Sequence, residues 1–405
     1  MTDTQQRTTG SGPFAVPDGL VARGRTPVNV LAVVAAVLET LQVIRRTADG
    51  HPVGVDLEPV LGAARVVTRG HGAIYADHQF VYLPSSALAL VPVAHGGRGL
   101  FTVMAALELT CVAASVFLLA RCLLTTPWWP TIAGVTVVLV MRSTLATDSA
   151  YLENLGMVVT LLLVCSIIAM SDERWALACA ALGVSLLIKP ILLPLFLVPL
   201  LARRWRETFV TLAGVAVVAG LSAAVAPGGW GMFALAGRLV GTPRGNSLPP
   251  SDNLTLASLG RQHHVAAVVV VLVRLLVVGG VAAACVVAGR RRQWRRDALP
   301  LSYVIVLGTF MAGGFYELSY AFLLAPLPVV VAQIWPYRKS VACGLAVGMA
   351  LVFLPEPTLG GSRTVLAALW CLGSAIAFGS LVIGFVTPER VPDGTAPSES
   401  PVPAR

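Results

Sequence analysis

The chain has 405 residues, 56% of them hydrophobic and 12% charged, with a formal net charge of +9 and a mean hydropathy of +0.79. Soluble domains carry about a quarter charged residues, so this composition excludes a water-soluble core and calls for repeated apolar runs of bilayer length. The positive charge does not mark a nucleic-acid binder: the arginines fall in short clusters between apolar runs, as cytoplasmic loops do, and lysine occurs only at Lys189 and Lys339. The seven cysteines lie in or beside apolar runs with no CxxC or Cys/His spacing. They read as small apolar residues, not as a disulfide framework or a metal site.

In chain order, residues 1–26 are polar and predict a disordered cytoplasmic tail, as does the Pro/Ser-rich 387–405. Between them, 27–386 forms one all-α, polytopic membrane domain. Its first apolar run has no cleavage site after it and reads as a retained span. Thirteen runs follow one another: 28–44, 80–96, 100–120, 128–141, 154–170, 175–188, 191–202, 208–226, 264–288, 299–314, 317–335, 341–354 and 364–386. Three strong cationic anchors are Arg203-Arg204-Trp205-Arg206, the run Arg290 to Arg296, and Arg338-Lys339. Two spans separate each from the next, so all three belong on the cytoplasmic side.

The segment 80–96 is short, contains Pro84 and opens with Tyr82, and is expected to lie against the outer surface. About twelve spans then remain, with both termini inside. A competing solution has 80–96 crossing and 175–202 as one kinked helix, which buries Lys189 near mid-membrane at a cost of several kcal/mol unless it is paired.

The preferred topology puts two long loops, 45–79 and 227–262, on the outer face, where function concentrates. In the first, Val60, Ala63, Ala64 and Val67 space an apolar face, with Arg65 and Arg69 polar. That pattern predicts a second interfacial helix. Asp56 precedes it and reads either as a general base at a lipid-facing cleft or as the helix N-cap, with Glu58 nearby. Tyr75 and Tyr82 suit an interfacial aromatic belt. Lys189-Pro190 sits between two half-length runs, where a lysine either meets an anionic lipid phosphate or snorkels to the headgroups. Arg274, inside the run 264–288, is a candidate phosphate ligand or a packing pair. Arg244, Asn246 and Asn253 in the second outer loop offer hydrogen bonds to a polyhydroxyl substrate. No Walker sequence or GxGxxG after a strand occurs, so a cytosolic nucleotide donor is not expected.

The stretches Asp56 to Tyr75, Tyr82-Leu83-Pro84, Leu187-Ile188-Lys189-Pro190 to Arg203-Arg204-Trp205-Arg206, Arg244 to Asn253 and Phe315 to Pro326, in that order, resemble the polyprenol-phosphate-dependent GT-C glycosyltransferases of family 87. Within that family the likeness is to the actinobacterial arabinan-branching α-(1→3)-arabinofuranosyltransferases. The closing Val386-Thr387-Pro388-Glu389-Arg390 is similar too, and the resemblance covers about residues 28–390. The family often has two adjacent acids where this chain has Val55-Asp56, and Tyr-Pro-Pro where it has Tyr82-Leu83-Pro84. The first departure leaves Asp56 as the matching acid; the second leaves the sugar open.

The resemblance implies a GT-C bundle in a bacterial plasma membrane, with its active site on the outer side. The donor would be decaprenyl-phosphoryl-β-D-arabinofuranose, the acceptor an arabinan or other envelope polysaccharide, and transfer an inverting single displacement. Asp56 would act as the base, and Lys189, then Arg274, would hold the departing lipid phosphate. Glu58, Tyr82, Glu153, Asn154, Arg244, Asn246, Asn253, Glu317 and Tyr320 complete the substrate-binding set. No cofactor is expected, and a metal requirement stays open. The alternatives are a polyprenyl-phosphate-mannose donor on the same fold, a transporter of lipid-linked sugars, and a non-catalytic membrane subunit.

Overall fold

The computed structural model describes residues 18–49, 56–77, 80–143, 146, 155–234, 264–312, 322–335, 338–353 and 363–387. Every regular element among them is helical. The helices are α1 (Asp18–Asp49), α2 (Glu58–Arg69), α3 (Pro84–Leu90), α4 (Arg98–Leu123), α5 (Trp129–Arg142), α6 (Gly156–Ser171), α7 (Trp175–Ile188), α8 (Leu197–Leu201), α9 (Trp205–Val225), α10 (Ala267–Arg291), α11 (Trp294–Ala312), α12 (Leu327–Ile334), α13 (Lys339–Val352) and α14 (Arg363–Val386). Helix α1 begins inside the stretch that the sequence assigns to the N-terminal tail.

Among the described residues, five stretches are long and apolar enough to cross a bilayer unaided: Arg25–Ala48, Gly99–Leu123, Trp205–Val225, Ala267–Arg291 and Ala368–Val386. Seven shorter apolar helices accompany them, among them Pro84–Val93, which corresponds to the run 80–96. Large apolar side chains stay exposed along α1, α9 and α10, including Leu31, Val210, Leu221, Leu272 and Leu276. Contiguous apolar surface on this scale suits lipid and not water. The chain is a membrane protein.

Three tight turns gather at one end. The chain reverses at 172–174, 202–204 and 292–293, and Glu173, Arg203 and Arg292 each take a left-handed backbone conformation there. Trp175 meets Trp294 edge-on at 5.7 Å, and the Arg204 guanidinium lies 5.9 Å from the Trp175 ring. The closeness of Arg204 to Trp175 shows that the chain doubles back between them, at Lys189-Pro190, instead of continuing as one kinked helix. Residues 190–196 form a 3-10 helix. At about 2 Å per residue there and 1.5 Å in α8, the return arm rises about 21 Å, the same as the fourteen residues of α7.

Helices α1 and α5 run parallel. Asn29 donates to the Pro127 carbonyl at 3.1 Å and accepts from the Thr131 hydroxyl at 2.6 Å. Further along both helices, the Arg142 Nε donates to Glu39 at 2.9 Å.

Close helix contact elsewhere depends on glycine. A Cβ on Gly348 of α13 would lie 2.6 Å from the Gly373 carbonyl oxygen of α14, and one on Gly373 would lie 2.5 Å from the Gly348 oxygen. Small residues let backbones approach this way in membranes, where apolar burial against lipid supplies little drive. Gly348→Leu is therefore expected to destabilise the fold by about 3 kcal/mol, read as a lowered thermal midpoint in detergent. Gly379→Ala, with open space at its Cβ position, should leave the midpoint unchanged.

Candidate functional site

Opposite the arginine-rich turns, the end of α7 is sealed by a second apolar cluster. Its members include Leu57, Val60, Leu61, Ile74, Tyr75, Phe80, Tyr82, Ala87, Leu155 and Ala226, with Ile188 packed against it. Helix α2 buries Val60, Ala63 and Ala64, the apolar face anticipated from spacing, and ends on Gly70 in the left-handed conformation. Leu57, not Asp56, occupies its N-cap position, and Pro59 stands in its first turn. Asp56 is half-buried and engaged by neighbouring groups.

The loop from Ala73 to Leu83 is built around aromatics. Tyr75 and Phe80 approach at 5.1 Å and Phe80 and Tyr82 at 6.1 Å between ring centres. The Tyr75 hydroxyl donates to the Tyr82 carbonyl at 2.8 Å. Burial pushes its phenol well above the usual range, so it stays a neutral donor. Sequence reasoning leaves Tyr75 at the interface belt, whereas the fold uses it as an internal brace. The turn after α9 closes over it. Gly228 takes the left-handed conformation at φ +68°, with Ala73 only 2.6 Å from its Cβ position, and a Cβ on Gly231 would sit 3.0 Å from the Tyr75 ring. The Ile74 amide donates to the Pro227 carbonyl at 3.0 Å.

Lys189 terminates α7. The residue before a proline is forced toward extended backbone, and Lys189 takes φ −152°, ψ 122°. A helix end leaves carbonyls without amide donors. Here the Ser85 and Ser86 hydroxyls of α3 take them, donating to Leu187 at 3.0 and 3.1 Å, with Ser86 also reaching Ile188 at 3.2 Å. Those bonds dock α3 on the break and place Tyr82 beside Lys189, whose ammonium lies 5.3 Å from the ring centre. The lysine is only 6% exposed and has other engagements as well, as a buried cation requires. A desolvated ammonium against an aromatic face, at the mouth of a helical break, is chemically suited to hold a phosphate.

The structure thus joins three sequence-selected features: the start of α2 with Asp56, Tyr82, and Lys189. Glu58 is committed elsewhere, to Arg65 at 2.6 Å, and the Arg65 Nε donates to the Ala94 carbonyl at 2.9 Å. Arg274 lies on α10, which contributes no residue to this cluster. Glu153, Asn154, Arg244, Asn246, Asn253, Glu317 and Tyr320 lie outside the described residues. Sequence reasoning missed Ser85, Ser86 and the Gly228–Gly231 turn. It also missed Glu108, a fully buried carboxylate in α4. An acid inside an otherwise apolar run is itself a functional signal, and that signal was available in Leu107-Glu108-Leu109.

An all-helical membrane protein with a polar helix break covered by packed aromatic side chains is the class that the fold and site define. The profile of Glycosyltransferase family 87 matches residues 80–326. The chain belongs to that family, and it is a membrane glycosyltransferase. A search of curated proteins finds no match.

The serine tie should be measurable. Ser85→Ala with Ser86→Ala strips the Leu187 and Ile188 carbonyls of these donors and is expected to cost roughly 2 kcal/mol. Ser85→Ala alone should cost much less, because Ser86 still reaches both carbonyls. Thermal unfolding of the three proteins checks this.

Proposed function

We propose that this glycosyltransferase moves arabinofuranose from decaprenyl-phosphoryl-β-D-arabinofuranose to an arabinan acceptor, inverting the anomeric carbon and forming α-(1→3) branches. The reading rests most heavily on Lys189, buried against Tyr82 at the end away from the arginine clusters. There a cation can neutralise a departing lipid phosphate while the polyprenyl tail stays in the bilayer. Asp56, beside the same apolar cluster, takes the proton of the acceptor hydroxyl as that oxygen attacks the anomeric carbon and the phosphate leaves. Family membership favours the enzyme over the transporter. The sugar follows from the likeness to arabinan-branching enzymes.

The proposed architecture is twelve spans with both termini in the cytoplasm of a bacterial cell, α2 and α3 lying on the outer surface, and the site facing outward. The parallel course of α1 and α5 supports it. With α4 the sole crossing between them they run parallel, and with 80–96 crossing as well they would be antiparallel. The hairpin at Lys189-Pro190 supports it independently.

Purified protein presented with arabinose- and mannose-linked polyprenyl phosphates and an oligo-arabinoside acceptor tests the reaction. Arabinose transfer with a (1→3) product is expected; transfer only from the mannose donor would replace the arabinose assignment. Asp56→Asn should fold and lose about two to four orders of magnitude in rate, and Lys189→Ala should lose about two to three in kcat/KM. Native rates in either variant would remove that residue from the mechanism. For topology, Ala76→Cys in a background lacking the exposed Cys122 and Cys343 should react with an impermeant thiol reagent from the outer side; labelling confined to the cytoplasmic side would overturn the twelve-span arrangement.

A further inference from the structure

At the arginine-rich end, away from the proposed catalytic site, a cavity of about 460 Å³ opens between the ends of α10, α11, α12, α13 and α14. Its lining carries four arginines, Arg291, Arg295, Arg296 and Arg338, against one acid, Asp297. Arg338 is fixed in place: its guanidinium donates to the Gly384 carbonyl and, at 3.2 Å, to the Thr387 carbonyl. Arg295 stands 83% exposed with its Nε 4.0 Å from Glu173. The N-termini of α11 and α13 also begin at this end, adding the positive ends of two helix dipoles.

The remaining lining is apolar, including Leu299, Val330, Ile334, Val341, Leu381 and Phe385. Around the opening, Ile383 and Val386 of α14 and Trp335, just beyond α12, expose their side chains. An indole there marks headgroup depth, with acyl chains below.

We propose that this cavity binds an anionic phospholipid, the arginines holding its phosphate headgroup and the apolar walls receiving the upper part of its acyl chains. Charge selects the headgroup: four arginines, two of them half-buried, against Asp297 leave a positive excess that a zwitterionic lipid cannot neutralise. The apolar walls select a lipid over a phosphate free in solution, which gains nothing from them. Basic pockets between membrane helices on the cytoplasmic side have this recognition chemistry. A bound lipid would also bridge five helix ends that come from the second half of the chain.

The test uses the full chain in nanodiscs of phosphatidylcholine with increasing phosphatidylglycerol, followed by native mass spectrometry of retained lipid. One phosphatidylglycerol should be retained saturably in preference to phosphatidylcholine. An arginine near an anionic surface is worth roughly fivefold in affinity, so Arg291→Gln with Arg295→Gln should weaken retention about twenty-five-fold. Arg203→Gln with Arg206→Gln, charges at the same end but outside the cavity lining, should change it little. Equal losses from the two pairs would mean unspecific surface attraction and overturn the site. Displacement of the lipid by millimolar pyrophosphate would overturn a lipid as the occupant. Should the cavity variant fail to fold, equal retention of both lipids by the native protein would also refute the proposal.

Discussion

The structure depends on one constraint, the proline at position 190. It denies the chain an amide donor and forces Lys189 out of helical geometry, so α7 ends after fourteen residues. Carbonyls left at that buried break need partners other than water. The hydroxyls of Ser85 and Ser86 meet them, which obliges α3 to lie across the break. Tyr82 then falls over the ammonium of Lys189, and the Phe80–Tyr75 brace and the Gly228–Gly231 turn close around it. A lysine that would otherwise be an expensive burial becomes a cation held in a defined place.

The two ends of the molecule divide the electrostatic labour. One gathers the arginine turns, packed through Trp175, Trp294 and Arg204, and suits an anionic leaflet. At the other, charged groups near the break are individually managed: Lys189 lies against an aromatic face and Glu58 is tied to Arg65. The proposed transfer from a lipid phosphate would use this second arrangement, because a phosphate leaving group is stabilised far more by a fixed, partly dry cation than by mobile surface charge.

Packing between the helices follows membrane rules. Where backbones cross closely, at Gly348 with Gly373, the side chain is reduced to hydrogen. Polar groups inside helices bond locally, as Thr40, Thr47, Ser115 and Thr136 do to carbonyls four residues earlier. The ion pair of Glu39 with Arg142 joins two parallel helices that are distant in sequence.

By itself, the sequence determined that the protein is helical and membrane-embedded, because apolar run length and arginine clustering are local properties that the bilayer reads directly. It also marked Asp56, Tyr82 and Lys189-Pro190, each unusual in its immediate setting, and the apolar face of α2. Only the tertiary structure decided that the chain reverses at Lys189, since a proline after a lysine is equally compatible with a kink. It alone showed that Ser85 and Ser86 serve carbonyls about a hundred residues away and that Leu57 takes the cap position beside Asp56. Glu58 and Tyr75 read as site residues or belt residues in sequence but are spent on an ion pair and a brace, because hydrogen-bond partners are chosen by proximity in space, and spacing along the chain does not encode it.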